Sequence, residues 1–215
     1  MHKRAVIVCK GAFPKKDYPL YLLRSADIMV CCDGAAGALL RRGIEPTAIV
    51  GDMDSIPAGL RAKCNAEIVH NPDQETNDLT KAFSYLMENY GEILDEITIL
   101  GATGKAEDHA IANISLLTEY ETGYNLGERG IKLSMVSDFS TIIPVSDSCE
   151  LHIGSGRKVS LFSPDPTLNI KSEGLQWKTD EVVFDNWWKA TRNVSSADTV
   201  KLTLSHKSKV ILIIN

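Results

Sequence analysis

Two aspartates separated by one residue end an apolar run in the stretch TAIVGDMDSIP, residues 47–57. In extended backbone, side chains two residues apart point to the same side, so Asp52 and Asp54 are expected to face one cleft. An unpaired carboxylate is costly to bury, and oxygen ligands without a nearby Cys or His favour Mg²⁺ over zinc or copper. The pair therefore indicates a magnesium site. The alternative is a solvated turn in which Asp54 caps the following helix.

Acidic residues also follow other apolar runs of the chain. Asp33 and Gly34 follow DIMVCC, and Asp73 follows EIVHN. Because ligands of open α/β sheets bind outside the carboxyl ends of the strands, we expect these side chains to line a single crevice. Asp78, in DQETNDLTKAF, is a further candidate ligand. A favourable interaction with the helix dipole also explains an aspartate in the first turn of a helix.

The stretch GATGKAEDH after the run EITIL has the composition of an anion-binding turn. Gly101 and Gly104 would let the backbone approach an anion at a helix N-terminus, although many such turns contain glycine for geometry alone. The stretch lacks the Walker A spacing. From the residues alone, Asp108 could be the N-cap of the following helix and His109 an ordinary histidine at a helix start.

Two lysines lie in the same segments as these candidates. Lys81 follows Asp78 in the predicted helix, and Lys105 lies within the glycine-containing turn. Either could complement phosphate charge, whereas an isolated lysine is usually a solvated surface residue.

The elements that must position these residues are short apolar runs alternating with helix-like segments. The runs are AVIVC, DIMVCC, TAIVG, EIVHN, EITIL and IKLSMVS, and between them lie YPLYLLRS, GAAGALLRRG, SIPAGLRAKC, TNDLTKAFSYLMENYG and HAIANISLLTEYETG. Strand followed by helix, five times over, is typical of a parallel sheet covered on both faces. Residues 1–139 are therefore predicted to form a doubly wound α/β domain, with a mostly parallel sheet and helices on both faces.

The pattern changes after about residue 139. Short β-rich runs follow, separated by Gly, Pro, Asp and Ser: TIIPV, CELHI, KVSLF, LNIKS, EVVFD, TVKLTLS and KVILII. No helix-length pattern occurs among them. Residues 140–215 are therefore predicted to form a second, all-β domain of sandwich type.

Composition limits the possible partners and location of the chain. Its 215 residues are 44% hydrophobic, and the net charge of −5 without a basic block argues against nucleic acid. The apolar runs are too short to span a bilayer, and the N-terminal run is too short for a signal peptide. The five cysteines show no CxxC spacing, which is typical of buried residues in a reducing compartment. We expect a cytoplasmic protein that binds neither nucleic acid nor membranes.

Taken in order, these motifs resemble the thiamine pyrophosphokinase (thiamine diphosphokinase) family. That family shows a DGG-like element, GDxDS, a DxxxTD-type helix start, a GxxGGRxDH-type loop, and then GLxW and a TSN-type element in a β-rich domain. The counterparts here are Asp33-Gly34-Ala35, Gly51 through Ser55, Asp73 through Asp78, Gly101 through His109, Gly174 through Trp177 and Thr191-Arg192-Asn193. The resemblance spans nearly the whole chain. Its most specific part is GDMDS when it occurs together with the other motifs.

The resemblance implies that ATP and thiamine are converted to AMP and thiamine diphosphate with the help of Mg²⁺. The implied metal ligands are Asp33, Asp52, Asp54 and Asp78. The last three are also the implied catalytic residues, and Asp52 is the candidate base. The implied ATP-binding residues are Asp33, Gly34, Asn77, Asp78, Lys81, Gly101, Gly104, Lys105, Asp108 and His109. The implied thiamine-binding residues are Trp177, Thr191 and Asn193.

The resemblance further implies a homodimer, in which the α/β domain of one chain and the β domain of the other form the substrate pocket. Trp177 is expected to stack on the cationic ring of thiamine; the alternative is a core residue of the β domain. The sequence departs from the family pattern at Asn77 for Thr, at Lys105-Ala106 for Gly-Arg and at Arg192 for Ser. Lys105 is therefore expected to supply the charge of the missing guanidinium.

Two other functions stay open from the residues alone. An Asp-x-Asp motif at a strand end also holds a divalent metal in nucleotide-sugar transferases. The second is a regulatory module that binds a nucleotide or thiamine without turnover. It stays open because Lys105-Ala106 departs from the family loop.

Overall fold

The computed structural model describes residues 3–56, 59 and 64–215. Two compact units divide them. The first comprises the described residues up to Asn113 together with Glu128–Asp138, and the second comprises Ile114–Gly127 with Phe139–Asn215. The domain division at residues 139 and 140 stays a prediction, because these units exchange a segment before that position.

Six strands of the first unit form a parallel sheet. They are β1 (Lys3–Val8), β2 (Ile28–Cys32), β3 (Ala48–Gly51), β4 (Glu67–His70), β5 (Leu94–Leu100) and β6 (Lys132–Val136). Their spatial order is β6-β5-β1-β2-β3-β4, and every neighbouring pair is parallel. The direction of chain order reverses between β1 and β5, which makes the carboxyl ends of these strands the topological switch point.

Helices cover both faces of this sheet. They are α1 (Asp17–Arg24), α2 (Asp33–Leu40) and α3 (Asp78–Tyr90), with a 3₁₀ turn at Gly91–Ile93. A fourth helix, α4 (Glu107–Gly123), begins in the first unit and continues into the second. Residues of α1 and α2 pack with one face of β1–β3 in a single apolar cluster. Helix α3 contacts β1–β3 without joining that cluster, so it covers the other face. The predicted helix SIPAGLRAKC lies largely outside the described residues.

The second unit contains two antiparallel sheets. Its strands are β7 (Thr141–Val145), β8 (Cys149–His152), β9 (Lys158–Phe162), β10 (Ile170–Glu173), β11 (Asn193–Val194), β12 (Thr199–Leu204) and β13 (Val210–Ile214). The sheet orders are β11-β9-β13-β7 and β10-β12-β8. Leu161 and Leu212 of one sheet and Ile170 and Leu202 of the other share one buried cluster. The predicted sandwich is therefore confirmed, as is the mostly parallel α/β sheet.

One predicted strand is wrong. The run EVVFD, residues 181–185, is irregular, and the backbone N–H of Val182 donates to the carbonyl of Thr179 at 2.9 Å. Val183 is exposed, whereas Phe184 is buried in the cluster between the sheets. The apolar residues of this run thus anchor a loop to the core without pairing with another strand.

Candidate active site

Asp33 is a buried carboxylate at the carboxyl end of β2. It begins α2 and is 2% exposed. Its Oδ1 accepts the Gly34 N–H at 2.5 Å, and its Oδ2 accepts the Met53 N–H at 3.1 Å. Burial, reinforced by the charges of Asp78 and Asp52, raises the pKa of the Asp33 carboxyl above its usual range. A cation beside Asp33 would relieve this cost.

Asp52 and Asp54 lie in a turn, so the expectation of extended backbone is wrong. Strand β3 ends at Gly51, and Met53 adopts a left-handed conformation with φ of 68°. The Asp54 N–H donates to Asp52 Oδ1 at 3.2 Å, and this hydrogen bond is the largest cause that lowers the pKa of Asp52. The turn, and not alternation along a strand, aims the two carboxylates.

Three of the four aspartates predicted as metal ligands come together. One carboxylate oxygen each from Asp33, Asp52 and Asp54 lies within 4.8 Å of the other two. All three donors are hard oxygens, the type that Mg²⁺ prefers. The donor set therefore fits a magnesium ion. The helix that Asp54 would cap in the alternative of a solvated turn lies largely outside the described residues.

Asp78 lies close to this trio without belonging to it. Its charge raises the pKa of Asp33, and its Oδ1 is 3.8 Å from the Nζ of Lys81. Lys81 is only 5% exposed, and its charge helps to lower the pKa of Asp52. Asn77 caps the same helix, because its side chain accepts the N–H of Thr80 at 2.9 Å. This position is compatible with both hypotheses for Asp78, a residue that interacts with the helix dipole and a residue of the metal site.

A cavity of about 460 Å³ opens at the topological switch point. Four predicted site residues line it, namely Asn77, Asp78, Lys105 and His109. Further lining comes from the residues that follow β1 and β5. Of the aspartates expected to line one crevice, Asp78 is among the lining residues, whereas Asp33, Asp52, Asp54 and Asp73 are not.

The loop after β1 and the loop after β5 are joined by backbone hydrogen bonds beside this cavity. The Gly11 N–H donates to the Gly101 carbonyl at 2.6 Å, and the Ala12 N–H donates to the Thr103 carbonyl at 2.8 Å. Gly101 and Gly104 have φ of 66° and 85°, a region that side chains disfavour. The predicted glycines therefore let the backbone after β5 fold closely against the loop after β1.

Lys10 is a site residue that the sequence analysis missed. It lines the cavity, and its Nζ donates to Ser55 Oγ at 3.2 Å. Ser55 Oγ in turn donates to Asp54 Oδ1 at 2.8 Å. The Nζ of Lys105 donates to the Lys10 carbonyl at 2.5 Å. The signal that could have identified Lys10 is its position directly after the apolar run AVIVC. Polar residues that directly follow an apolar run were the signal that identified the aspartates.

Asp108 and His109 are exposed at the start of α4. The helix begins at Glu107, so the N-cap alternative for Asp108 is wrong. Asp108 Oδ1 accepts the His109 N–H at 2.7 Å and lies 2.9 Å from His109 Nδ1. The hydrogen bond with the His109 side chain is the main cause that lowers the pKa of Asp108.

The two predicted thiamine-binding elements adjoin within the second unit. The Trp177 N–H donates to Asn193 Oδ1 at 3.1 Å, and Asn193 Nδ2 donates back to the Trp177 carbonyl at 2.5 Å. Thr191 Oγ1 donates to the Trp188 carbonyl at 2.7 Å. Trp177 is 56% exposed, so the alternative of a core residue is wrong. Its ring is available for stacking.

Comparisons with known proteins decide the family. Two family models, described as the thiamin pyrophosphokinase catalytic domain and the thiamin pyrophosphokinase substrate-binding domain, match residues 20–126 and 140–212. The chain belongs to the thiamine pyrophosphokinase family. The resemblance read from the motifs is therefore confirmed.

Individual relatives agree with this family. The chain is 28% identical over 228 residues to Thiamine pyrophosphokinase 1 of Oryza sativa, covering 93% of this chain and 83% of that protein. It is 33% identical over 105 residues to Thiamin pyrophosphokinase 1 of Caenorhabditis elegans, covering 46% and 43%.

Solved structures agree on the fold. Thiamine pyrophosphokinase from Bacillus subtilis is similar with a TM-score of 0.78 and 21% identity, covering 99% of both chains. Yeast thiamin pyrophosphokinase has a TM-score of 0.78 and 17% identity, covering 99% of this chain and 86% of that one. Family membership confirms the predicted enzyme class, and it does not favour the nucleotide-sugar transferase or the non-catalytic module.

Proposed function

We propose that the chain transfers a diphosphate from ATP to the hydroxyl of thiamine, which gives thiamine diphosphate and AMP. The observation that carries this proposal is the convergence of Asp33, Asp52 and Asp54 within 4.8 Å at the carboxyl ends of β2 and β3. Such an all-carboxylate cluster beside a cavity suits a metal-bound triphosphate, because phosphoryl transfer depends on positioning and charge neutralisation.

Asp33, Asp52 and Asp54 would hold Mg²⁺, with Asp78 as a further ligand, direct or through water. The ion would supply positive charge that neutralises the phosphates of ATP. Asp52 is our choice for the group that takes the thiamine hydroxyl proton. The Asp54 N–H lowers the pKa of Asp52, which weakens it as a base, so this choice rests on its place in the aspartate trio.

Two lysines of the cavity wall, Lys10 and Lys105, and the buried Lys81 beside Asp78 would bind the rest of the triphosphate. Lys10, Lys81 and Lys105 are the proposed phosphate contacts, supported by the hydrogen bonds that hold Lys10 and Lys105 in the cavity wall. Lys105 would replace the charge of the arginine that Ala106 lacks. The remaining proposed ATP-binding residues are Gly34, Asn77, Gly101, Gly104, Asp108 and His109.

Thiamine would bind to the second unit through Trp177, Thr191 and Asn193. The exposed indole and the paired hydrogen bonds between Trp177 and Asn193 support this assignment. We also retain the homodimer with the active site at the subunit interface and the cytoplasmic location as parts of the proposal. Among the described residues, no helix has the length and hydropathy needed to cross a membrane.

An AMP-release assay with ATP, Mg²⁺ and thiamine tests the proposed function. We expect AMP formation that depends on thiamine. Turnover of a sugar nucleotide or release of ADP would favour the transferase, and binding without product would favour the regulatory module.

The variant Asp54→Ala tests the metal role. We expect activity to fall by at least about 100-fold, because a lost ligand removes several kcal/mol of charge stabilisation. The free energy of unfolding should change little, because the substitution relieves repulsion between carboxylates. Asp147→Ala, which removes an exposed carboxylate paired with Lys207, is the matched control and should keep full activity. Activity of Asp54→Ala within tenfold of wild type would refute the metal role.

A further inference from the structure

Two cysteine thiols face the cavity, and the proposed reaction makes no use of them. Cys9 directly follows β1, and Cys32 is the last residue of β2. The Cys32 thiol donates to Cys9 Sγ across 3.9 Å. Both residues line the cavity together with Lys10 and Asp78. The cavity therefore has a wall of two adjacent sulfurs beside its charged residues.

The sheet holds these sulfurs in register. Strands β1 and β2 pair with Val8 opposite Cys31, so Cys9 and Cys32 are the next pair along the strands. Neighbouring strands lie about 4.8 Å apart. The Cys9 N–H also donates to the Leu100 carbonyl of β5 at 2.8 Å. Backbone hydrogen bonds of the sheet thus fix the relative positions of Cys9 and Cys32, which do not depend on the conformation of a loop.

The other thiols of the described residues do not share this setting. Cys31 points into the cluster on the opposite face of the sheet, and Cys64 packs against that same cluster. Cys149 lies in the second unit. Within the part of the chain that the structure describes, Cys9 and Cys32 are the cysteines that line the cavity.

The separation of the sulfurs suits a single bridging atom. The two Sγ atoms lie 3.9 Å apart, against about 2.05 Å in a disulfide, so a disulfide forms only after the side chains rotate. Bonds from sulfur to a thiolate-bound metal are about 2.3 Å long. At 3.9 Å two such bonds meet at about 116°, and a pyramidal trivalent centre, which prefers a smaller angle, needs a shorter approach of the sulfurs than a disulfide does.

We propose that Cys9 and Cys32 form a dithiol site for a soft, thiophilic centre, represented here by a trivalent arsenical. Soft thiolate ligands select such centres over hard cations, so the site is chemically distinct from the aspartate trio. An organic arsenoxide, R–As=O, reacts with two thiols. Two As–S bonds form, both S–H bonds and the As=O bond break, and the oxygen leaves as water with both protons. Arsenic stays trivalent, so no oxidant is consumed.

Occupation of this site should block the nucleotide cavity. The organic group on arsenic can project only into the open cavity, because the strands and their apolar clusters enclose the sulfurs elsewhere. Lys10 and Asp78 line the same cavity, so the group would stand beside a proposed phosphate contact and a proposed metal ligand. This inhibitory consequence rests on the proposed function, whereas the dithiol site itself does not.

Phenylarsine oxide is the probe for the experiment. The full, reduced chain is treated with one equivalent, and intact mass and AMP release are measured on the same sample. We expect one adduct per chain, loss of AMP release in proportion to adduct, and recovery of both with a dithiol such as 2,3-dimercaptopropanol. Mg²⁺ and ATP added first should slow the reaction. An adduct without loss of activity would overturn the inhibitory role.

Matched variants locate the site. Cys9→Ala and Cys32→Ala should lose the adduct, whereas Cys64→Ala and Cys149→Ala should keep it. Because a core variant can fail to fold, protection of the wild-type thiols from alkylation in denaturant is measured as well, and the peptides containing Cys9 and Cys32 should be protected. Absence of any adduct, or protection of Cys31 or Cys64 in place of this pair, would overturn the dithiol site.

The untreated enzyme separates this inference from the proposed function. If it releases no thiamine-dependent AMP while the adduct still requires Cys9 and Cys32, the dithiol site stands and the proposed reaction fails. If it releases AMP but forms no adduct, the reaction stands and the dithiol site fails.

Discussion

At the scale of single residues, the candidate site concentrates conformations and charges that cost stability. Met53 has φ of 68°, a region that costs a non-glycine residue about 1–3 kcal/mol. Asp33 is a buried carboxylate whose pKa is raised by burial. The two features are connected, because the Met53 N–H donates to Asp33 Oδ2. Strain of this kind is typical of functional sites, where the surrounding fold holds it in place.

Gly51 is the residue whose small size this arrangement requires. A Cβ on Gly51 would lie 2.7 Å from Asp33 Cγ and 2.9 Å from Asp33 Oδ1, so the Asp33 carboxylate would have to move. We predict that Gly51→Ala lowers kcat by on the order of 100-fold, because a displacement near 1 Å can cost that much. Gly123→Ala, where an added Cβ meets nothing within 4 Å, is the control and should retain activity. Equal kcat for the two variants would contradict the predicted displacement.

Trp177 makes a prediction about substrate affinity. Stacking of a cation on an indole contributes about 0.5–2 kcal/mol, so Trp177→Ala should raise KM for thiamine by about 2- to 30-fold. The KM for ATP should stay unchanged, and Trp177→Phe should lie between the two, because it retains a smaller aromatic face. Steady-state AMP release at varied thiamine measures the effect. An unchanged KM for thiamine in Trp177→Ala would refute the stacking role.

At the scale of elements, the turns of the β unit are joined by one carboxylate. Asp165, between β9 and β10, lies 2.9 Å from His206 Nε2 and accepts Ser208 Oγ at 2.9 Å, both between β12 and β13. Asp165 Oδ1 also accepts Thr167 Oγ1 at 2.6 Å. These hydrogen bonds, led by that of Thr167, lower the pKa of Asp165 well below its usual range.

This lowered pKa predicts a pH dependence of stability. A carboxyl whose pKa is lower in the folded state stabilises the protein above its unfolded pKa of about 3.9, and the contribution declines as the pH falls through the folded pKa. The difference in unfolding free energy between wild type and Asp165→Asn should therefore be full at pH 6 and smaller at pH 3. Urea unfolding at several pH values measures it. A difference that stays constant over this range would contradict the assignment.

At the scale of the whole molecule, ligand binding and global stability are linked. A ligand present at 100 times its Kd stabilises the folded state by about 2.7 kcal/mol. For a chain of this size, we predict that ATP with Mg²⁺ raises Tm by roughly 5–10 °C. EDTA should abolish the shift, because the aspartate trio cannot hold the triphosphate without a cation.

Two variants make that thermal shift specific to the site. Asp54→Ala should lose most of it, whereas Asp147→Ala should keep it. A full shift in the presence of EDTA would show that the nucleotide binds without a divalent ion and would contradict the proposed metal role.

Strand and helix positions in the first unit followed the sequence closely, because parallel strands buried on both faces consist of nearly continuous apolar residues. The run EVVFD was wrongly predicted as a strand because its apolar residues anchor a loop to the core. No local sequence pattern distinguishes such a loop from a strand that pairs with a neighbour. Strand β11, of only two residues, carries too little pattern to be predicted. Its place depends on its antiparallel partner β9.

The order of motifs along the chain was sufficient for the family, the α/β and β-sandwich architecture and the identity of the clustered aspartates. This information is local, since each motif depends on residue types at short spacing. Only the tertiary structure decided that a left-handed turn aims Asp52 and Asp54, that Asp78 stands beside the trio, and that Lys10 and the paired thiols share the cavity. Apart from that turn, which is local, these arrangements join residues far apart in the chain, and sheet order and register bring them together.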